Sequence, residues 1–243
     1  MALATRTLST THSFFSARHA MFFIFPWMLF SIFGGMGPPP ETAALWALLA
    51  NEQMVRYTFL IAGGISMGIG FHYLRIRLAD TQGSKYAYLA NILMKIAIPL
   101  FVLNMAYWGY FLTSIFIKYP AGNANAKPAW LIPLGEVFTI IRMTEVALFY
   151  FATAALSSAL RLTGHLSKPA SFLYILFSCL GALFNLLPGT LSGPLAVANY
   201  LSYIPAFTLL MPYLIAINLL YKSGNNIGQS IHDKRRQQPF SKP

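Results

Sequence analysis

Charge is what this sequence has least of. Asp, Glu, Lys and Arg make up 9% of its 243 residues, against about 25% in an ordinary soluble domain. A chain so poor in charge cannot coat a water-facing surface of its own size, which excludes a soluble globule. The 56% of hydrophobic residues excludes intrinsic disorder, which needs low hydrophobicity. One cysteine, Cys179, leaves no disulfide framework and no cysteine pair for redox work. Aspartate occurs only at Asp80 and Asp233, so no paired-aspartate magnesium motif exists, and no Walker loop, G-x-S-x-G elbow or His-x-x-x-His box is present either. Metal-dependent prenyl or phosphate transfer is not expected, and an enzyme is the less expected class.

What the sequence has instead is long apolar runs. A hydrocarbon core takes about 20 residues of helix to cross, and suitable runs lie at 20–36, 57–74, 87–117, 130–160, 170–187 and 195–221. The expected fold is all-α: a polytopic integral membrane bundle of six transmembrane helices at 20–221. A basic cytoplasmic segment, 1–19, precedes it and a basic tail, 222–243, follows it.

The seventeen Lys and Arg residues orient these spans, because cytoplasmic segments are enriched in them. With both termini cytoplasmic, Arg6, Arg18, Arg75, Arg77, Lys85, Arg161, Lys168, Lys222, Lys234, Arg235, Arg236 and Lys242 fall inside. Only Arg56, Lys118 and Lys127 fall in outer loops, while Lys95 and Arg142 lie within spans. An odd number of spans would spoil this bias. The net charge of +11 is thus mainly an orientation signal, reinforced by attraction of the tail to anionic lipid. The lipid bilayer is the expected partner, with other membrane subunits or a homo-oligomer as further partners and no nucleic acid.

The first eighteen residues hold Ser, Thr and Arg but no acid, a composition shared with organelle transit peptides. The run 20–36 contains Pro26 and leads into Gly-Gly-Met-Gly-Pro-Pro-Pro rather than a small-x-small cleavage site, so it is expected to stay as the first span. Short basic termini and compact loops favour the cytoplasmic (inner) membrane of a bacterium over an organelle inner membrane. In the first outer segment, Pro38, Pro39 and Pro40 stop the helix and Glu41 opens a run containing Trp46. A short interfacial helix is expected at 42–54, with a re-entrant hairpin as the alternative. The loop 119–128 is an exposed connection.

An ionisable side chain near the centre of a span costs about 2.5 to 3.5 kcal/mol, so each one needs an explanation. The fourth span has Glu136, Arg142 and Glu145. Arg142 and Glu145 project about 60° apart on a helix and can neutralise each other. Thr139, Arg142, Tyr150, Thr153 and Ser157 share one face, and in the third span so do Tyr88, Asn91, Lys95, Tyr110 and Thr113. These two stripes are expected to face one another, with Lys95 within reach of Glu145 by tilt. The structural alternative is an Arg142–Glu145 ion pair with Lys95 snorkelling to the inner interface.

His72, near the inner end of span two, is expected to be a hydrogen-bonded interfacial residue. Only His19 could join it as a second axial ligand of a haem, so no cofactor is required. Gly64 and Gly68 form a G-x-x-x-G pattern suited to close helix packing within the bundle. Pro205 and Pro212, accompanied by Asn199, Tyr203 and Tyr213, are expected to bend the sixth span.

The leading expectation is a polar midplane site or passage for a small solute or ion, a transport-type function. Lys95, Arg142 and Glu145 would supply its charge, Glu136 its outer mouth, and Asn91 and Tyr150 further polar contacts. A non-catalytic membrane subunit or assembly factor comes second. A redox protein, holding haem on His19 and His72 or a quinone between the striped helices, comes third.

Overall fold

A computed structural model describes residues 15–35, 40, 42–119, 129–187, 192–202 and 204–237. Expectations for 1–14, most of the loop 119–128, the break at Pro188 and Gly189, Tyr203 and the end of the tail lie outside these residues. Every regular element among them is helical: α1 (Ala17–Gly35), α2 (Ala43–Leu48), α3 (Ala50–Arg77), α4 (Ser84–Ala106), a π-helical segment (Tyr107–Leu112), α5 (Thr113–Lys118), α6 (Leu131–Leu162), α7 (Lys168–Asn185), α8 (Pro194–Ser202) and α9 (Pro205–Gln237).

Among the described residues, four helices are long and apolar enough to cross a membrane: α3, the run Ser84–Lys118 comprising α4 to α5, α6 and α7. The bent pair α8 and α9 makes a fifth if counted as one span, and the apolar stretch Ala17–Ile32 of α1 is shorter. Their outward faces are apolar, with Ile65 and Ile69 on α3, Ile96 and Leu103 on α4, and Phe172 and Leu183 on α7 all exposed. A soluble monomer seldom leaves so much apolar surface uncovered, whereas hydrocarbon costs it nothing. Several apolar helices of this kind are compatible with a multi-pass membrane protein.

One expectation is corrected here. The helix expected at 42–54 is two elements: α2 stops at Leu48, Leu49 takes a non-helical cap conformation, and 50–54 is already the first turn and more of α3. Thr42 starts α2 by accepting a hydrogen bond from the Leu45 amide at 3.3 Å. The sixth run is bent by 62° between α8 and α9, at the place expected for Pro205. Pro205 stands at the break and has no backbone N–H to continue a helix.

Neighbouring helices close into a ring, with α1 on α3, α3 on α4, α4 on α6, α6 on α7, and α9 returning to α1. Short turns set the antiparallel pairs. Thr81 closes the turn from α3 to α4 by bonding the Leu78 carbonyl, and Ser167 caps α7 by accepting from the Ala170 amide. Contacts between helix ends bring the described basic residues Arg18, Arg75, Arg77, Lys85, Arg161, Lys168 and Lys222 to one end of the bundle. His19 stacks on Tyr73 there, Gly83 lies against Ala159, and the Lys222 ammonium donates to the Gly164 carbonyl. Arg56 and Lys118 lie at the opposite end.

Glycines set the closest approaches. A Cβ on Gly64 would meet the Phe101 ring at 2.5 Å, one on Gly68 would meet Ile98 at 3.1 Å, and one on Gly70 would meet Phe23 at 2.7 Å. The glycine faces of α3 are thus filled by α4 and α1 of the same chain. Gly109, inside the π segment, lies so close to α3 that a Cβ would fall 2.4 Å from the Tyr57 Cβ.

Gly109→Ala is therefore expected to lower stability by roughly 1 to 3 kcal/mol, the usual cost of overpacking, whereas Gly135→Ala, whose Cβ would meet nothing closer than 3.8 Å, should be neutral or stabilising. Thermal unfolding in one detergent compares the two. The basic end offers a pH prediction. Burial, and then the like charge of Lys222, hold the His165 imidazole below its usual 6.5. Below 6.5 the unfolded chain then binds more protons than the folded one. The contribution is complete above 6.5 and declines as pH falls below it, so the melting temperature should drop on acidification with a shallower slope in His165→Gln.

Candidate functional site

Glu145 stands near the middle of α6, a helix of 32 residues, and is where its buried stretch begins. Its carboxyl is 2% exposed and accepts a hydrogen bond at 2.9 Å from Nδ2 of Asn104 on α4, which is wholly buried. The antiparallel seam between α4 and α6 places aromatic pairs on both sides of this contact. Toward the basic end Phe101 meets Phe149 at 6.0 Å, edge to face. Toward the other end Tyr107 stacks on Phe138 at 3.7 Å, and beyond it Phe111 meets Trp130 at 6.0 Å. Glu145 Oε2 and Asn104 Oδ1 are both buried and have no hydrogen-bond partner among the described residues. The π segment starts three residues after Asn104, and such interruptions of a helix recur at functional sites.

The sequence-predicted residues divide into those near this pair and those away from it. Arg142 is close enough for its charge to act on the Glu145 carboxyl. Tyr150 is buried and donates from its hydroxyl to the Ser202 carbonyl at 2.8 Å, closing the end of α8 at the break. Lys95 is exposed; nine residues before Asn104 on a regular helix, it projects about 180° away from it. The expected opposition of the two stripes is therefore corrected. Tyr88, Lys95 and Tyr110 are exposed, Asn91 and Thr113 of the same stripe are buried against His72 of α3 and Trp46 of α2, and α4 meets α6 through Phe101 and Asn104. Glu136 is exposed near the start of α6. Asn91 is buried, its Oδ1 lying 3.3 Å from Nδ1 of His72. His19 has Nδ1 2.7 Å from Ser16 Oγ and stacks on Tyr73. His19 and His72 thus engage different neighbours on different sides of α3.

Further polar groups complete the far end of α6, α7 and α8. Asn185 donates to the Met143 carbonyl at 2.6 Å, two residues before Glu145. Asn199 donates to the carbonyls of Phe184 and Leu187 at 2.7 and 3.2 Å, adding side-chain donors at the end of α7. Between α6 and α7, Ser171 donates to the Ser157 carbonyl at 3.0 Å. At the start of α3, Trp46 of α2 donates to Thr113 at 2.8 Å and packs against Tyr57, Trp108 and Phe116. Sequence reasoning missed Asn104, although a signal was there: it is an amide in the middle of an apolar run, where no interface is within reach.

The arrangement can hold a proton, a cation or a hydrogen-bond donor between two oxygens in a water-poor seam. Asn104→Leu should destabilise by about 1 to 3 kcal/mol, the cost of stranding a buried partner. Adding Glu145→Met should recover most of that loss, because both partners are then gone. A double-mutant cycle on thermal unfolding measures it. Compared with protein-family models, curated proteins and solved structures, the chain shows no match.

Proposed function

We propose that the chain crosses the membrane six times with both termini cytoplasmic, and that the seam of α4 and α6 provides a polar mid-depth site for a small solute or ion, a transport-type function. The gathering of seven described basic residues at one end of the bundle supports this orientation, by the usual enrichment of Lys and Arg on the cytoplasmic side. In that frame α2 is an outer interfacial helix pinned to the bundle by Trp46, and the membrane is the inner membrane of a bacterium.

The observation that carries the transport reading is the Asn104–Glu145 pair, buried at mid-depth with two oxygens left over. Intramembrane carboxyls mark ion and proton routes more often than they serve packing alone. Arg142 modulates the charge of the site, and Tyr150 steadies the break between α8 and α9 on the same helix. Lys95 and Glu136, both exposed, attract or repel charged solutes at the two approaches and do not contact the pair.

A second reading, a non-catalytic subunit or assembly factor, is favoured by the exposed Tyr88 and Lys95 on one face of α4, which suits a partner helix. Stoichiometric co-purification with other membrane proteins in mild detergent, lost in Lys95→Leu, would support it.

Proteoliposomes challenged in turn with protons, sodium, potassium, chloride and small neutral solutes test the transport reading. Flux of one probe should fall to the protein-free level in Glu145→Gln and persist in Lys95→Gln. Absence of flux for every probe in the wild type, or equal flux in Glu145→Gln, counts against it.

A further inference from the structure

We propose that Glu145 is a proton-binding site: it carries its proton on Oε2 while the exposed acids are ionised, and donates it to Asn104 Oδ1 to close a cyclic acid–amide pair. This rests on the preceding reading only in taking the seam as water-poor.

The hydrogen-bond inventory leads to it. An ionised carboxylate can only accept, and an asparagine side chain offers donors on Nδ2 and an acceptor on Oδ1. The contact present runs from Nδ2 to Oε1 at 2.9 Å. It leaves one acceptor on each partner, Oε2 and Oδ1, both buried with no donor among the described residues. A buried acceptor left unpaired costs free energy, and a buried charge costs far more. One proton on Oε2 removes both penalties. It neutralises the carboxyl, and it turns an unmatched oxygen pair into a second hydrogen bond, O–H to O, parallel to the first.

The surroundings favour the neutral form. Phe101 with Phe149 and Tyr107 with Phe138 flank the pair along the seam. Of the charged groups on the elements packed around it, Lys95 projects from the opposite face of α4. Arg56 is committed to Glu52 at 3.1 Å near the start of α3. Arg142, three residues before Glu145 on α6, is half-buried with its Nε enclosed, and its charge reaches the carboxyl, where the water-poor seam acts against it.

Loss of the proton has a structural consequence. Oε2 and Oδ1 then face each other as two acceptors, and α4 must rotate or shift to relieve them. The π segment that begins at Tyr107, directly after α4, has the slack to allow it, because its extra residue per turn can migrate without breaking the helix. Proton exchange at Glu145 is thereby coupled to the register of α4 and α6.

Infrared spectroscopy of the purified full-length protein in nanodiscs tests the assignment. With only six Asp and Glu residues, few carboxyl bands compete. Near neutral pH the wild type should show the C=O stretch of a protonated carboxyl, absent in Glu145→Gln and shifted to higher frequency in Asn104→Leu, where its bonding partner is gone. Glu145→Gln should melt like the wild type, because its amide reproduces both hydrogen bonds, so loss of the band there reports the proton and not unfolding. The assignment is overturned if the wild type lacks the band, if Glu145→Gln keeps it, or if sodium chloride abolishes it at constant pH, which would give the oxygens to a metal cation. The band without flux of any probe leaves the proton site standing and removes the transport reading. Flux without the band does the reverse.

Discussion

A polar side chain at the middle of an apolar bundle has no water to turn to, and every such group must be answered by another part of the same protein. The contact of Asn104 with Glu145 joins two such groups across one seam, and it bears on how α4 lies on α6. The two helices run antiparallel with Phe101 opposite Phe149, Asn104 opposite Glu145, Tyr107 opposite Phe138 and Phe111 opposite Trp130. Aromatic pairs alone would tolerate sliding, because a ring finds a new partner about one turn, or 5.4 Å, along. The amide and the carboxyl do not tolerate it. A slip of one turn leaves both buried without their shared bond, a cost of several kcal/mol. Dispersion and shape hold the seam together, and one polar contact decides its register.

The same requirement organises the other side of the ring. The end of α7 and the break between α8 and α9 expose backbone carbonyls, and side chains from adjoining helices supply the donors: Asn199 for Phe184 and Leu187, Tyr150 for Ser202. Asn185 adds a bond to Met143 on α6, and Ser171 ties α7 to the Ser157 carbonyl. A broken helix is tolerated at such a depth only where protein groups replace its lost partners. Tyr150 and Glu145 stand on one helix, so the register set at the carboxyl also positions the hydroxyl that finishes α8.

Much of the helical layout was legible in the sequence. Runs of apolar residues at 57–74, 87–117, 130–160 and 170–187 lie within α3, α4 to α5, α6 and α7, give or take a few terminal residues, because length and hydropathy suffice to specify an apolar helix. The gathering of basic residues at one end followed from the charge positions. Azimuth was less legible. Of the stripe Tyr88, Asn91, Lys95, Tyr110 and Thr113, expected to face α6, Asn91 and Thr113 are buried against α3 and α2, while Tyr88, Lys95 and Tyr110 are exposed, because polar residues away from the middle of a long apolar helix can reach interfacial water or headgroups. Asn104 lies at mid-depth, where that escape is closed, and one amide there constrains the packing more than several polar groups nearer the ends. Weighting polar residues by depth instead of by number would have selected it. The bend at Pro205 was legible from the proline itself, whereas the break at Leu49 depends on tertiary contacts through Trp46 that a local pattern does not carry.

The identity of residue 145 bears on whether the pair serves packing alone. A glutamine there would offer the same length, the same planar head and both complementary bonds to Asn104, with no charge to bury and no oxygen left over. For register and stability a glutamine is at least the equal of a glutamate at every pH. What glutamate adds is a group whose hydrogen bonding changes when one proton leaves. In a chain with only six acidic residues, an acid buried in the seam has one physical advantage over the amide, which is that it titrates. A purely structural pair makes no use of that property, whereas a site that takes up and releases a proton or exchanges it for a cation depends on it.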